Sequence, residues 1–342
     1  MKILWAYGEE SIFSVIKLAL IIAPPKANFY QGMRVLITGG AGFIGSHLAD
    51  AYLARGDDVF ILDDLSAGSE RNVQKALKNG AHFLKASILS KQATDWIDSM
   101  RPDLINHHAA QKSVRASIAN PILDAESNIL GTLKLLEAST RAGCKKFIFA
   151  SSGGAIYGEQ KYFPADEFHP CEPISPYGAS KLSSEIYLNI YSKTYGLGAK
   201  CLRYANVYGP RQDPNGEAGV VAIFSKMMLK ASPTSIFGDG KQTRDFVYVK
   251  DIVNLNLAHE PKIGSFEIVN VGTGKETSIC SLHKELSDLT GYQLAAKSAP
   301  TQEGDQKRSA IISNKIDSKF FTPLNEGLRE TIISFKSGES QC

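Results

Sequence analysis

The stretch Thr38-Gly39-Gly40-Ala41-Gly42-Phe43-Ile44-Gly45 follows a short apolar run, Arg34–Thr38, and precedes Ser46–Arg55, whose apolar residues recur at helical spacing. Glycines suit such a turn because it is tight and because its backbone must come close to a pyrophosphate. The N-terminus of the following helix offers free N–H groups and the positive end of its dipole to phosphates. The stretch therefore predicts the first βα turn of a dinucleotide-binding domain.

An acidic residue follows at the distance that such a domain requires. The second apolar run ends in Asp63, about 20 residues beyond the glycines, where a carboxylate accepts hydrogen bonds from ribose hydroxyls. Asp64 comes next, and not an arginine, so a 2′-phosphate would be repelled and NAD is favoured over NADP. The alternative is that Asp63 only caps the turn after its strand.

From Met33 onward, short apolar runs alternate with longer helical patterns, which is typical of βαβ units. The predicted strands are Arg34–Thr38, Asp58–Asp63, His82–Lys85, Leu104–His107, Lys146–Ala150 and Lys200–Tyr204, and the predicted helices include Ile44–Ala54, Ile122–Ala142 and Ala179–Tyr195. We expect an α/β fold: a doubly wound parallel (Rossmann) sheet over residues 33–205, and a smaller, mixed lobe over residues 206–342 from which strands and helices can return to the first domain.

The composition excludes several classes of protein. The 342 residues are 43% hydrophobic and 21% charged, which supports a full core, and the net charge of +3 is spread without a basic block. We therefore expect neither a nucleic-acid nor a membrane partner. The five cysteines are widely separated and lack C-x-x-C spacing, which indicates no disulfide framework, no metal site and a reducing, cytoplasmic location.

The first 32 residues differ in pattern from the rest of the chain. Their apolar run, Ile12–Ala23, is interrupted by Lys17 and is too short to span a bilayer. Glu9 and Glu10 precede it, where a signal peptide would carry positive charge. Residues 1–32 are therefore interpreted as an extension that is not part of the fold.

Tyr177 and Lys181 are four residues apart, so on a helix they share one face. A free tyrosine has a pKa of about 10. A lysine ammonium and a positive nicotinamide ring favour the phenolate, which makes tyrosine a general base. Upstream, a predicted strand runs into a loop of small residues at Ser151 and Ser152, and hydroxyls at such a strand end lie where doubly wound sheets bind ligands.

The chain resembles the NAD-dependent sugar-nucleotide epimerases and dehydratases of the extended short-chain dehydrogenase/reductase type, and among them most of all the UDP-glucose 4-epimerases. The resemblance covers roughly residues 33–331. It rests on six ordered strings: Thr38–His47, Asp64–Gly68, His108–Val114, Pro176–Lys181, Leu202–Arg211 and Gly238–Asp251.

The resemblance implies a UDP-sugar substrate and a role for each matching residue. The cofactor-binding residues it implies for NAD are Gly39, Gly42, Phe43, Ile44, Gly45, Asp63, Ser66, Gly68, Ala109, Lys112, Asn128, Tyr177 and Lys181. The substrate-binding residues it implies are Ser152, Tyr177, Asn206, Val220, Arg244, Asp305 and Ser309. It also implies that Tyr177 takes the proton of the sugar 4-hydroxyl while the C4 hydride moves to NAD, and that the keto sugar turns over before the hydride returns.

The chain departs from the family pattern at several positions. Gly153 stands where a serine or threonine usually bridges tyrosine and substrate, so Ser152 is the substitute candidate for a catalytic hydroxyl. The stretch Gly153–Ala155 lacks the carboxylates of the dehydratases, which favours epimerisation over elimination. Gln302 replaces a phosphate-binding arginine, and Ser309 is small enough at the sugar to leave room for an N-acetyl group.

The predicted function is therefore interconversion of UDP-glucose and UDP-galactose, with UDP-N-acetylglucosamine as a further candidate substrate. The alternatives are a uronate epimerase, a dehydratase or a reductase of the same family, or a non-catalytic dinucleotide-binding protein. The family also implies a homodimer that pairs the helices Ile122–Ala142 and Ala179–Tyr195.

Overall fold

Seven parallel strands form the central sheet of the computed structural model, which describes residues 32–215, 219–300 and 306–338. They are β1 (Arg34–Thr38), β2 (Asp58–Asp63), β3 (His82–Lys85), β4 (Leu104–His107), β5 (Lys146–Ser152), β6 (Gly198–Tyr204) and β11 (Phe266–Val271). Their spatial order is β11-β6-β5-β4-β1-β2-β3. The order reverses between β1 and β4, and ligands bind beyond the carboxyl ends of the strands at such a point. The predicted doubly wound parallel sheet is confirmed.

Helices cover both faces of this sheet. They are α1 (Phe43–Arg55), α2 (Glu70–Lys78), α3 (Lys91–Met100), α4 (Val114–Ala119), α5 (Pro121–Ala125), α6 (Gly131–Ala142), α7 (Gly153–Ile156), α8 (Pro176–Tyr195) and α10 (Val249–Ala258), with a π-helical turn at Glu126–Leu130. Val35 and Ile37 pack in one core cluster and Leu36 packs in the other. Strands buried on both faces give continuous apolar runs, which is why the first strand is readable in the sequence.

The second lobe is small and mixed. Its strands pair as β7 (Asn206–Tyr208) with β10 (Phe246–Tyr248), β9 (Thr243–Arg244) with β12 (Thr277–Ser278), and β8 (Ser235–Phe237) with β13 (Lys297–Ala299). Its helices are α9 (Val220–Leu229), α11 (Ile279–Thr290) and α12 (Leu324–Lys336), which share one core cluster, and a 3₁₀ turn lies at Ser318–Phe320.

Two elements from the later part of the chain belong to the central sheet and the helices that cover it. Strand β11 pairs with β6, and α10 packs against α1. The division of the chain at residue 205 remains a prediction. Residues 1–31 of the predicted extension lie outside the described residues. Within the described ranges, no helix combines the length and apolarity needed to cross a membrane.

Candidate active site

The glycine loop forms a cradle of bare backbone between β1 and α1. Gly39 has a φ of 68°, and a Cβ there would lie 2.6 Å from the backbone nitrogen of Ala109. A Cβ on Gly45 would overlap the carbonyl oxygen of Gly39. Gly42 is the N-cap of α1 and offers no side chain to the first turn, so the N–H groups at Phe43 and Ile44 are uncapped by it. The cradle suits a pyrophosphate at a helix N-terminus.

Asp63 lies at the end of β2, beside this cradle. Its Oδ2 accepts a hydrogen bond of 2.9 Å from the backbone N–H of Ala41, and its Oδ1 accepts one of 2.8 Å from Leu65. A Cβ on Gly68 would lie 3.0 Å from Asp63 Oδ1, so the absence of a side chain at Gly68 leaves this carboxylate oxygen accessible. Burial raises the pKa of Asp63, while both backbone bonds lower it. The carboxylate does cap its turn, but it is also anchored to the glycine loop, as a ribose-binding acid of an NAD site would be.

Tyr177 and Lys181 lie on the first turns of α8, whose N-cap is Ser175. The Lys181 ammonium is almost fully buried and donates a 2.9 Å hydrogen bond to the carbonyl of Ala150 at the end of β5. It lies 4.7 Å from the ring centroid of Phe149 and 5.8 Å from that of Tyr177. Burial lowers the pKa of Lys181 to about 8. At neutral pH the group therefore remains mostly charged next to the phenol.

Ser152, the last residue of β5, lies against Tyr177. Burial raises the pKa of Tyr177 to about 12, and a side-chain hydrogen bond with Ser152 lowers it. A hydrogen bond that favours the phenolate is what a tyrosine base needs, and a positive nicotinamide ring beside it would act in the same direction. The geometry thus brings the predicted substitute hydroxyl to the predicted base.

Gly153, where the resemblance implies a hydroxyl, starts α7 and packs against Ile311. A Cβ at Gly153 would lie 2.5 Å from Cδ1 of Ile311. A Cβ at the next residue, Gly154, would lie 3.7 Å from Oγ of Ser309, which is itself buried. Two small residues therefore face each other beside the strand end that carries Ser152.

Asp124 was not predicted from the sequence. This carboxylate of α5 is fully buried and accepts a 2.6 Å hydrogen bond from Ser180 Oγ and a 2.9 Å bond from Gln111 Nε2. It raises the pKa of both Tyr177 and Lys181. It therefore helps to keep Lys181 charged and opposes the phenolate. A carboxylate within a short helix has the sequence pattern of a solvent-exposed residue, and only the contact with α8 reveals its role.

Asn128 lies in the π-helical turn and hydrogen-bonds with the backbone of the loop after β4. Its Oδ1 accepts from the Gln111 backbone N–H and its Nδ2 donates to the Gln111 carbonyl, each at 3.0 Å, and Nδ2 also donates to Asp124 at 2.9 Å. In the described chain Asn128 thus shapes the loop that carries Ala109 and the exposed Lys112. Ser66 is likewise exposed, just beyond Asp63.

The second lobe contributes the remaining predicted substrate residues. Asn206 is exposed at the start of β7, and Val220 is partly exposed at the start of α9. Arg244 in β9 donates from Nη1 to the carbonyls of Thr243 and Gln306, both at 2.8 Å. Asp305 lies outside the described residues.

A buried ion pair lies beneath the site, and the sequence did not predict it. Arg203 of β6 and Glu185 of α8 form a bidentate pair at 2.9 and 2.6 Å, and each is at most 3% exposed. Ser151 Oγ donates to Glu185 at 2.6 Å, and Arg203 donates to the Tyr157 hydroxyl at 2.9 Å. The network joins α8 to strands β5 and β6.

Comparisons with known proteins agree with this geometry. A model of the NAD dependent epimerase/dehydratase family matches residues 35–272. A crystal structure of UDP-glucose 4-epimerase with UDP-glucose from Thermotoga maritima is 44% identical, with a TM-score of 0.83, and the match covers 89% of this chain and 99% of that one. The Thermus thermophilus UDP-glucose 4-epimerase in complex with NAD is 42% identical over the same shares, with a TM-score of 0.80.

A third solved structure differs in its sugar. It is a UDP-N-acetylglucosamine 4-epimerase from Methanobrevibacter ruminantium in complex with UDP-N-acetylmuramic acid, 36% identical over 90% of this chain and 99% of that one, with a TM-score of 0.82.

The family model spans well over half of the chain, and the glycine cradle with Asp63 fits the cofactor that the family uses. The chain is an enzyme of the NAD dependent epimerase/dehydratase family.

Proposed function

We propose that the chain is a UDP-sugar 4-epimerase that interconverts UDP-glucose and UDP-galactose. The observation that carries the proposal is the buried ammonium of Lys181, which is held by the carbonyl of Ala150 near the end of β5 and lies 5.8 Å from the ring centroid of Tyr177, with Ser152 next to the phenol. These groups provide a base and its supporting charge at a strand end where the glycine cradle and Asp63 would hold NAD.

The chain's own residues have separate tasks in this reaction. Tyr177 takes the proton of the sugar 4-hydroxyl and later returns one to the oxygen at C4. Ser152 stabilises the phenolate through its hydrogen bond, and Lys181 stabilises it through its charge. NAD, when bound, would supply the hydride acceptor and donor for C4.

The strand end favours epimerisation over elimination. An elimination needs an additional acid and base next to the sugar. The residues after Ser152 are Gly153, Gly154 and Ala155, which carry no titratable group. This supports a 4-epimerase over a dehydratase.

A second substrate is supported by the small residues at Gly154 and Ser309. A Cβ on Gly154 would lie 3.7 Å from Oγ of Ser309, so neither residue places a bulky side chain between these two positions. We propose that UDP-N-acetylglucosamine is also accepted, with its acetamido group near Ser309.

We also propose a homodimer. Side chains of α4, α5, the π-helical turn and α8 expose apolar surface on one side of the domain, and the residues are Ile118, Ile122, Leu123, Leu130, Ile186 and Ile190. Since α5 and the π-helical turn pack against α8, these residues form a patch that a second copy would bury. Sedimentation of Ile186→Glu should show a monomer where the unmodified chain is a dimer, and a monomeric unmodified chain would contradict the proposal.

The proposed location is the cytoplasm. Its support is that the described cysteines, Cys144, Cys171, Cys201 and Cys280, are free thiols, as expected in a reducing compartment.

The function is tested by incubating the purified, NAD-loaded chain with UDP-glucose, UDP-N-acetylglucosamine and UDP-glucuronate, and resolving the products by chromatography. We expect the first two to reach an equilibrium with their 4-epimers and the Tyr177→Phe variant to convert neither. Conversion of none by the unmodified chain would refute the proposed function. Conversion of UDP-glucose alone would refute only the second substrate.

A further inference from the structure

The side chain of Ile311 lies between two glycines at the carboxyl edge of the sheet. A Cβ on Gly153 would lie 2.5 Å from its Cδ1 and 3.2 Å from its Cγ2. On the other side, a Cβ on Gly272 would overlap its Cγ1. Ile311 is only 1% exposed and packs with Tyr157 and Ala165. The side chain fills this space, so it has little freedom to move away from Gly153.

The backbone of Ile311 is held on two sides. Its N–H donates a 3.3 Å hydrogen bond to the buried carboxylate of Asp245, and its carbonyl accepts one of 3.0 Å from Gly274. The neighbouring residues bond with Ala165, whose N–H donates to the Ala310 carbonyl and whose carbonyl accepts from the Ile312 N–H, both at 2.9 Å. Ile311 is therefore fixed relative to both the strand ends and the loop before α8.

The contact bears directly on a residue next to the base. Gly153 follows Ser152, which ends β5 and has its side chain against Tyr177. A shift of the Gly153 peptide changes the direction in which Ser152 presents its hydroxyl. Misplacing a catalytic group by about 1 Å can cost about 100-fold in rate.

We propose that Ile311 is a positioning residue for the reaction: it fixes the Gly153 peptide so that the hydroxyl of Ser152 faces Tyr177. The inference builds on the proposed function. It accounts for the glycine at position 153, because a side chain there would occupy the volume of Ile311. The hydroxyl next to Tyr177 is thus supplied by Ser152, one residue before Gly153.

The test compares four forms of the full, NAD-loaded chain: unmodified, Ile311→Ala, Ile311→Val and Ile312→Ala. Ile312 is the matched control because it lies on the same segment but contacts Gly274. We measure kcat and KM for UDP-glucose, and we titrate the phenolate absorbance of Tyr177 as the difference from the corresponding Tyr177→Phe form. Ile311→Ala should lower kcat about 10-fold with little change in KM, and it should raise the pKa of Tyr177 by about one. Ile311→Val and Ile312→Ala should resemble the unmodified chain.

A second pair of variants tests the same contact from the other side. Gly153→Ser should lose activity at least about 10-fold, and adding Ile311→Ala should recover part of it, because the larger side chain then has room. If Ile311→Ala does not fold, Gly153→Ser alone decides: its full activity overturns the proposal. An Ile311→Ala form that melts earlier but keeps kcat and the Tyr177 pKa also overturns it. The phenolate titration needs no turnover, so it decides about Ile311 even if the unmodified chain converts no UDP-sugar and the proposed function fails.

Discussion

Removing the hydroxyl of Ser152 should move the pH dependence of the reaction to higher pH. Turnover requires the phenolate of Tyr177, so the rate rises with pH through the pKa of that group. The hydrogen bond with Ser152 lowers this pKa. A hydrogen bond to a charged group contributes about 1.5–3 kcal/mol, and one pKa unit corresponds to about 1.4 kcal/mol. Ser152→Ala should therefore raise the pKa of Tyr177 by about one to two.

At a pH well below this pKa, the fraction of phenolate falls tenfold for each unit, so kcat of Ser152→Ala should be about 10- to 100-fold lower at neutral pH. The deficit should shrink as the pH is raised. The assay is the initial rate of UDP-glucose conversion by the NAD-loaded chain at saturating substrate over a pH series. Ser152→Thr keeps the hydroxyl and should retain most of the activity.

Ser151→Ala is the matched control. Its hydroxyl donates to Glu185, away from Tyr177, and leaving a buried carboxylate short of one donor costs about 1–3 kcal/mol of stability. This variant should unfold at a lower urea concentration but keep the pH profile of the unmodified chain. A Ser152→Ala profile that coincides with that of the unmodified chain would refute the reasoning, because Tyr177 would then be ionised without help from Ser152.

Further predictions concern three residues around the site. Lys181→Met should lower kcat at neutral pH about 100-fold or more, since the base loses its charged neighbour. Burial lowers the Lys181 pKa to about 8, so the unfolded chain binds more protons above that pH, and urea denaturation should show a Lys181-dependent gain of stability from about pH 8 to 10 that Lys181→Met lacks. Asp63→Ala should weaken NAD binding about 10-fold or more in calorimetric titration, because a ribose acceptor and the anchor of Ala41 are lost together; unchanged affinity would leave Asp63 as a turn cap only. Arg203→Met should cost about 3–5 kcal/mol in urea denaturation because Glu185 is left charged and buried, and a Glu185→Gln partner change should recover part of that loss.

Strands β1 and β4 are readable from the sequence because both of their faces are buried. Strand β1 contains the apolar run Val35–Ile37, and the next three predicted strands begin and end where the structure has them. Strand β11 escaped prediction because polar residues interrupt it. Glu267 pairs with Lys200 and Lys315, and Asn270 is fully buried with partners on three segments of the chain. Such polar positions look like a loop until their partners are known.

The candidate site likewise contains residues that the sequence predicts and residues that it does not. The glycine loop, Asp63, and the pair of Tyr177 and Lys181 follow from local spacing, because each depends on a turn or on one helix face. Asp124 and Ile311 do not. Their roles depend on contacts with α8 and with Gly153 that join parts of the chain more than 50 and 150 residues apart, and no local pattern encodes such contacts.

The segment from Gln306 to Ile312 belongs to neither lobe alone. On one side it bonds with Gly158, Gln160 and Ala165, and on the other with Thr243, Asp245 and Gly274. Grafting only the residues next to the sugar from a relative, in order to exchange sugar preference, would leave the hydrogen bonds on one side of the segment without matching partners. The unit to transfer is the segment together with its partners on both sides, although these three parts are distant in the sequence.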